Sequence, residues 1–227
     1  AAYALKHGFE QILATGIDYD FVIRLDADNH INDDFFSLMN DAYNSGCKIA
    51  RPYESALNMT QNKFTKACGL YYSFDSRFSS RVRERLHIDA HVNGPGSMFA
   101  YEIIKNIGGY DTTSITEDTE FMFKRMLEGY KCHFVEDAVV YEDLPSTYKD
   151  TSSRNKRIAA GNVRLMAKYT PKFIWNAIIH FRFSFIEQLL TYMFNFICVI
   201  LCTWIPFFYV YDVIYLWTQG LFTDAQA

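Results

Sequence analysis

Residues 21–28 read FVIRLDAD, and this stretch decides the fold. Phe21, Val22, Ile23 and Leu25 form a short apolar run that ends in acids. Such a run reads as a buried strand leaving its layer at the C-terminal end. Residues i and i+2 of a strand share a face, so Asp26 and Asp28 both reach the space beyond that end. Open α/β sheets bind their ligands there. Two hard carboxylate ligands suit Mg2+ or Mn2+, and such an ion suits a diphosphate. Taken alone, Asp-x-Asp also reads as a polar loop after a strand.

Working outward, strands and helices alternate. Ala4, Leu5, Phe9, Ile12 and Leu13 share one face of a first helix that Gly16 caps. A second helix starts at Asn32 or Asp33 and stops at Gly46, and CKIARPY (47–53) is a short strand. Residues 54–92 are polar, aromatic and basic and receive no assignment. NGPGSMFA (93–100) is a Gly-rich turn entering a strand, 101–107 is a helix closed by Gly108 and Gly109, and 117–129 is another helix. CHFVEDAVVYE (132–142) gives one strand or two, and Thr151 or Ser152 caps a helix over about 153–169. This alternation predicts an α/β layer fold with a mostly parallel sheet. Because the chain opens inside a helix, a strand is expected upstream, and the piece is read as N-terminally truncated and inactive alone.

Composition limits the function classes. Of 227 residues, 22 are basic and 26 acidic, and the net charge of −4 excludes a basic nucleic-acid binder. With 50% hydrophobic and 17% aromatic residues, the chain is no disordered tail. Five cysteines (47, 68, 132, 198 and 202) contain no CxxC pair, so neither a disulfide framework nor a zinc ribbon is expected. His87 and His91, spaced i and i+4, have no third ligand nearby in sequence and are assigned surface or capping roles.

The charge distribution is lopsided. Every Lys and Arg lies at or before Arg182, and Leu189 to Tyr211 carries no charge. A helix of that length measures about 35 Å against about 30 Å of bilayer hydrocarbon, which predicts a transmembrane helix within 189–217. Residues 171–188 are expected to lie along the interface as an amphipathic helix. The organisation expected is thus a catalytic part over 1–170, that interfacial helix, the span, and a tail over 218–227. The positive residues before the span put 1–182 in the cytosol, at the inner membrane face.

Three further sets of residues bear on chemistry. Gly94 and Gly96, around Pro95, let backbone approach a ligand, or simply make a tight turn. Thr116-Glu117-Asp118 opens a helix, where acids are favoured by the dipole and are common as caps. Arg154, Arg157, Gly161, Arg164 and Lys168 step by three and four, which gives a cationic helical face with a Gly opening able to hold a diphosphate, or else a solvated stripe.

The order of these elements resembles the family 2 glycosyltransferases with a GT-A fold, in particular the membrane-embedded cellulose, chitin, hyaluronan and poly-N-acetylglucosamine synthase group. The resemblance rests on Asp26-Ala27-Asp28, Asn93 to Gly96, Gly108-Gly109-Tyr110-Asp111, Thr116-Glu117-Asp118 and Arg154-Asn155-Lys156-Arg157-Ile158. It implies metal and diphosphate binding by Asp26 and Asp28, a catalytic base at Asp118, and donor contacts from Glu117, Arg154, Arg157, Gly94 and Gly96. It also implies inverting transfer from a nucleotide sugar, UDP-linked in the first instance, to a glycan or lipid-linked acceptor at a lipid surface. The family's Gln-x-x-Arg-Trp reads here with Arg154 for Gln and Ile158 for Trp, which leaves polymer synthesis open. Two other classes stand beside this one: a non-catalytic membrane-anchored scaffold and a metal-dependent nucleotidyltransferase.

Overall fold

The computed structural model describes residues 2–92 and 94–218, without the side chains of Ala2, 194–200 and 203. Helix α1 (Ala2–Ala14) leads to β1 (Phe21–Ile23), β2 (His30–Ile31), α2 (Phe35–Asn44) and β3 (Ile49–Ala56). Helix α3 (Lys63–Phe74) runs through a π-helical turn (Asp75–Ser80) into α4 (Arg81–Arg85). Then come β4 (Met98–Ala100), α5 (Tyr101–Ile107), α6 (Glu117–Leu127), β5 (Cys132–Glu142), α7 (Tyr148–His180) and α8 (Phe183–Thr218). Residues 54–92, unassigned from sequence, are mainly helical. The helix expected from 153 begins at Tyr148, because Thr147 caps it by accepting from Asp150 N.

The sheet has the order β1-β4-β3-β5-β2. It is mixed, which corrects the expectation of a mostly parallel sheet: β3 and β5 are parallel, and the other pairs are antiparallel. The cause lies in 57–92. That helical excursion leaves the carboxyl end of β3 and touches the start of β5, where Ala90 N donates to Cys132 O at 3.0 Å, before the chain turns into β4 antiparallel to β3. The turn at 94–97 fixes this return, since Gly96 N donates to Arg24 O at 2.7 Å and Arg24 N donates to Ser97 O at 2.9 Å. Strands β1, β3 and β5 therefore point the same way, and their carboxyl ends meet at one edge.

The strand pleat sends alternate residues to two apolar clusters. Ile49 and Phe99 join a large cluster with Phe9, Phe121, Phe123, Tyr169 and Phe173. Ala50 and Met98 join a smaller one with Phe35 and Met39 of α2.

The region 171–188 is divided between two helices. Helix α7 continues through Pro171 to His180, Phe181 turns with φ 48°, and α8 begins at Phe183. Phe173, Ala177, Phe185 and Gln188 are buried, while Trp175, Phe181 and Phe183 are exposed. Glu187 pairs with the buried Arg83 of α4, and Gln188 Nε2 donates to Asp89 O at 3.3 Å. These contacts hold the start of α8 on the protein, where an interfacial helix was expected.

The span expected at Leu189–Tyr211 falls within α8. Among the described residues, no helix is long and apolar enough to cross a membrane. Tyrosines and Pro206 lower its apolar character, and positions 194–200 and 203 within it lie outside the described side chains. Of the expected tail, 219–227 lies outside the described residues.

Arg51 of β3 is fully buried and fixes the helical excursion. Its guanidinium lies 3.2 Å from Glu54, 3.2 Å from Asp75 and 3.0 Å from Ser80 Oγ. Glu54 N also donates to Ser76 Oγ at 3.1 Å, so the π-helical turn is bonded directly to the strand. Replacing Arg51 with Met strips two carboxylates of their cation. A loss of about 3–5 kcal/mol of unfolding free energy is expected in the full chain, read as a lowered denaturation midpoint, the usual result of breaking a buried pair.

Candidate active site

Asp26 and Asp28 follow β1 on an exposed turn. Asn29 shapes it: Asn29 Oδ1 accepts from Asp26 N at 2.9 Å, and Asn29 N donates to Asp26 O at 3.1 Å. Among the described residues, no group of three His, Cys, Asp or Glu is placed to hold a metal ion. Two exposed carboxylates fit an ion that takes its other ligands from phosphate and water, as Mg2+ and Mn2+ do.

Arg24, which the sequence reading passed over, links this turn to α6. Its Nη2 lies 3.8 Å from Asp26 Oδ1 and 3.2 Å from Glu117 Oε1. Its Nε and Nη1 are buried and have no hydrogen-bond partner among the described residues. A guanidinium with spare donors beside a carboxylate turn suits a phosphate-bearing ligand. The only sequence signal for it was a charge inside an otherwise apolar strand.

Thr116, Glu117 and Asp118 sit where α6 starts, across from the ends of β3 and β5. Glu117 is buried and taken up by Arg24, so its first role is to hold that guanidinium. Asp118 Oδ1 accepts from Thr119 N at 2.7 Å. A Cβ at Gly94 would lie 3.2 Å from Asp118 Oδ2 and 3.1 Å from Arg24 Nη1. Gly94, with φ 91°, thus lets the backbone pass between the two. Gly96 serves packing instead, since a Cβ there would lie 2.6 Å from Pro52. Burial pushes the Asp118 carboxyl above the ordinary aspartate value, Glu117 adds to the rise, and the Thr119 N–H and Arg24 only partly offset it. A carboxylate raised in this way is a better proton acceptor near neutral pH.

Asp118 opens onto a cavity of about 300 Å3. Glu54, Tyr71, Tyr72, His91, Glu142, Arg154, Ile158, Asn162 and Tyr192 line it with Thr116 and Thr119. His91, expected at the surface, faces this cavity; burial holds its imidazole well below the usual range, hence neutral. Asp26 and Asp28 are outside the lining.

The basic face of α7 is not gathered as the sequence suggests. Arg154 alone enters the cavity, 3.5 Å from Glu142. Arg157 and Arg164 are exposed. Lys168 is paired with Glu120 at 2.7 Å. Gly161 is no ligand opening, because Thr116 fills the space: a Cβ there would lie 2.8 Å from both Thr116 Cγ2 and Oγ1. The turn at Gly108–Asp111 is likewise structural. Tyr110 stacks between Phe9 and Phe121 at 5.4 and 5.0 Å, and Asp111 pairs with Arg125 at 3.1 Å.

Residues 21–211 match the family model for Glycosyl transferase family group 2. The chain belongs to that family. Among curated relatives, glucomannan 4-beta-mannosyltransferase 1 of Cyamopsis tetragonoloba is 26% identical over 94% of this chain and 40% of its own length. Glucomannan 4-beta-mannosyltransferase 2 of Arabidopsis thaliana is 22% identical over 91% and 38%. The probable glycosyltransferase YdaM of Bacillus subtilis (strain 168) is 33% identical over 35% and 19%. This chain therefore spans about 40% of the first relative's length. Among solved structures, the mannosyltransferase PcManGT of Pyrobaculum calidifontis, in complex with GDP-Man and Mn2+, covers 74% of this chain and 44% of its own. At a TM-score of 0.50 and 16% identity it shares the fold, a mixed α/β architecture of the GT-A type.

The contact between Gly161 and Thr116 positions α7 against the turn that carries Asp118. Gly161→Ala should displace that turn and lower the turnover of the intact enzyme, by up to about 10²-fold if the shift approaches 1 Å. Thr116→Ala in the same chain clears both clashing atoms and should restore most of the rate. A double variant as slow as the single one would show that the contact does not set the site.

Proposed function

We propose that this chain is the catalytic part of an inverting, metal-dependent glycosyltransferase that moves a mannosyl group from a nucleotide sugar to a glycan hydroxyl. The observation that carries the reading is the half-buried Asp118, raised in pKa and set beside Arg24, Gly94 and a polar cavity. The family assignment supports sugar transfer. The mannosyltransferase relatives support mannose, and the fold neighbour's GDP-Man moves the donor from the UDP-linked sugar first expected to a GDP-linked one.

In this reading donor and acceptor meet at Asp118, approaching it from either side of the Arg24–Glu117 pair. On one side Asp26 and Asp28 would hold Mg2+ or Mn2+ with the donor diphosphate, where the ion would offset charge on the leaving group. Arg24 offers its spare donors to the same diphosphate. On the other side the cavity takes the acceptor, with Tyr71, Tyr72 and Tyr192 as faces for sugar rings. Asp118 accepts the acceptor hydroxyl's proton as its oxygen bonds to the anomeric carbon. The bond from that carbon to the diphosphate oxygen breaks, and the nucleoside diphosphate leaves. We place the reaction at a cytosolic membrane face with a glycan or lipid-linked acceptor. The exposed Leu201, Trp204, Ile205 and Phe208 of α8 support that location.

Asp118→Asn nearly preserves shape. In the intact enzyme it should leave donor binding in place and lower turnover by about 10²-fold or more. Loss of binding in step with turnover would reassign Asp118 to a structural cap. The acid limb of the wild-type rate should lie above the ordinary aspartate value of 3.8, since the base works only when deprotonated and its pKa is raised. The released product should be a nucleoside diphosphate; pyrophosphate would mark a nucleotidyltransferase.

Asp28→Ala tests the donor side independently. It should abolish Mn2+-dependent binding of the nucleotide while the chain stays folded, because Asp28 is on an exposed turn. Unchanged binding would move the metal elsewhere.

A further inference from the structure

Behind the wall of the Asp118 cavity, Arg83 of α4 uses every donor it has. Its Nε donates to Ser79 Oγ at 3.1 Å. Nη1 donates to Asp89 O at 3.4 Å and to Glu187 Oε2 at 2.7 Å. Nη2 donates to Glu187 Oε1 and to Thr191 Oγ1, the latter at 3.0 Å. Thr191 Oγ1 in turn donates to Glu187 Oε1 at 2.8 Å. A guanidinium carries five N–H donors in a fixed planar fork, and here all five are engaged. The Arg83–Glu187 pair is nearly out of water.

The partners belong to three segments: the π-helical turn, the loop before Gly94, and α8, whose Glu187 lies 104 residues from Arg83 in sequence. Each segment puts side chains into the cavity wall. Ser79 comes from the turn, His91 and Val92 from the loop, and Thr191 and Tyr192 from α8. Arg83 and Glu187 do not line the cavity themselves. They stand one layer behind it and tie its pieces together.

Apolar packing alone does not fix that wall. Phe185, Leu189 and Tyr192 recur at helical spacing and turn one stripe of α8 toward the core. Burial of such a stripe keeps the helix attached but is non-directional, so the helix is free to roll or slide. The bidentate pair supplies the direction. The grip is also short. Among the described side chains of α8, all those beyond Tyr192 are exposed. This 36-residue helix is therefore anchored through the stretch from Phe183 to Tyr192, and Glu187 stands in the middle of it.

We propose that Arg83 and Glu187 are positioning residues for the acceptor: they set the roll of α8 and so place Thr191 and Tyr192 against the acceptor sugar. This rests on the reading that the cavity takes the acceptor. Tyr192 also meets Phe123 of α6 edge-on at 5.4 Å and His91 edge-on at 5.6 Å, so a roll of α8 shifts a ring wedged between two other walls. The five bonds of Arg83 all go to the cavity wall, and none goes to Arg24, Asp26 or Asp28 on the donor side. Docking of α8 and acceptor binding are then linked, each favouring the other to the same degree.

The test begins with initial rates of the intact enzyme, with GDP-mannose and Mn2+ on the donor side and a short mannan oligosaccharide as acceptor. Arg83→Lys keeps the charge and loses the fork, while Glu187→Gln keeps the shape and loses the charge. Each should raise the acceptor KM about tenfold or more, with kcat and the donor KM within about threefold of wild type. The double variant should be no worse than the poorer single one, because both substitutions break one unit. Hydrogen–deuterium exchange on the wild-type chain gives a second measurement: the oligosaccharide should slow exchange of the amides over 187–192. Folded variants with the wild-type acceptor KM overturn the proposal. A donor KM that rises as far as the acceptor KM also overturns it, since that marks a general structural role. So does exchange over 187–192 that ignores the oligosaccharide, and this arm decides even where a variant does not fold. A wild type that transfers nothing to the oligosaccharide overturns the mannosyl-transfer reading and this proposal with it; normal transfer with unaffected variants overturns the proposal alone.

Discussion

Three acids fall within four residues at the start of α6, in a place where water does not reach them freely. A buried carboxylate needs a partner, or it holds its proton. Each of the three meets this demand differently, and the arrangement around the site follows. Glu117 takes the guanidinium of Arg24 and so ties α6 to β1. Glu120 accepts from Thr113 N and Ser114 N and pairs with Lys168, which ties α6 to its own leading loop and to α7. These bonds outweigh the effect of burial and bring Glu120 down to about 2. Asp118 is left with the N–H and hydroxyl of Thr119 and no cation as a direct partner among the described residues. Its two neighbours make the turn rigid, and the lack of such a partner leaves its carboxyl raised and available.

The sheet supplies the second constraint. Only strands whose carboxyl ends lie together can deliver Asp26, Glu54 and Glu142 toward one edge. The helical excursion after β3 separates that strand in sequence from β4, which runs antiparallel to it. Its weight is borne by Arg51, whose charge would be untenable in the sheet without Glu54 and Asp75. A buried ion network placed there costs desolvation, and its gain is that the π-helical turn has one position relative to β3. Tyr71 and Tyr72 reach the cavity from the helix just before that turn, so the same network sets the cavity's aromatic wall.

Much of this was legible from single residues. Phe9 and Leu13 on one face of α1, the strand-end acids, the Gly108 cap and the helix from Glu117 all follow from local periodicity and capping, and the structure has them. Strand direction was not legible. It depends on where the excursion over 57–92 delivers the chain, and helix–strand alternation carries no information about that. The basic stripe on α7 misled for a related reason. Spacing by three and four places residues on one face of a helix, yet a face is wide enough for Arg154 to look into the cavity while Arg157 and Arg164 look out. His91 was misplaced because its burial comes from α8, about a hundred residues downstream: its ring packs edge-on to Tyr192 at 5.6 Å.

The departures at Arg154 and Ile158 gain meaning from the same geometry. Both side chains border the cavity. Where the family pattern has an aromatic ring, Ile158 offers a smaller aliphatic surface. The aromatic area at the cavity comes from α3 and α8 instead, through Tyr71, Tyr72 and Tyr192. Arg154, where the pattern has a neutral amide, places a cation 3.5 Å from Glu142 at the end of β5. The pair neutralises a carboxylate that would otherwise sit half-buried beside Asp118's cavity and raise that carboxyl still further. At this cavity, charge thus comes from Arg154 on α7 and aromatic surface from α3 and α8.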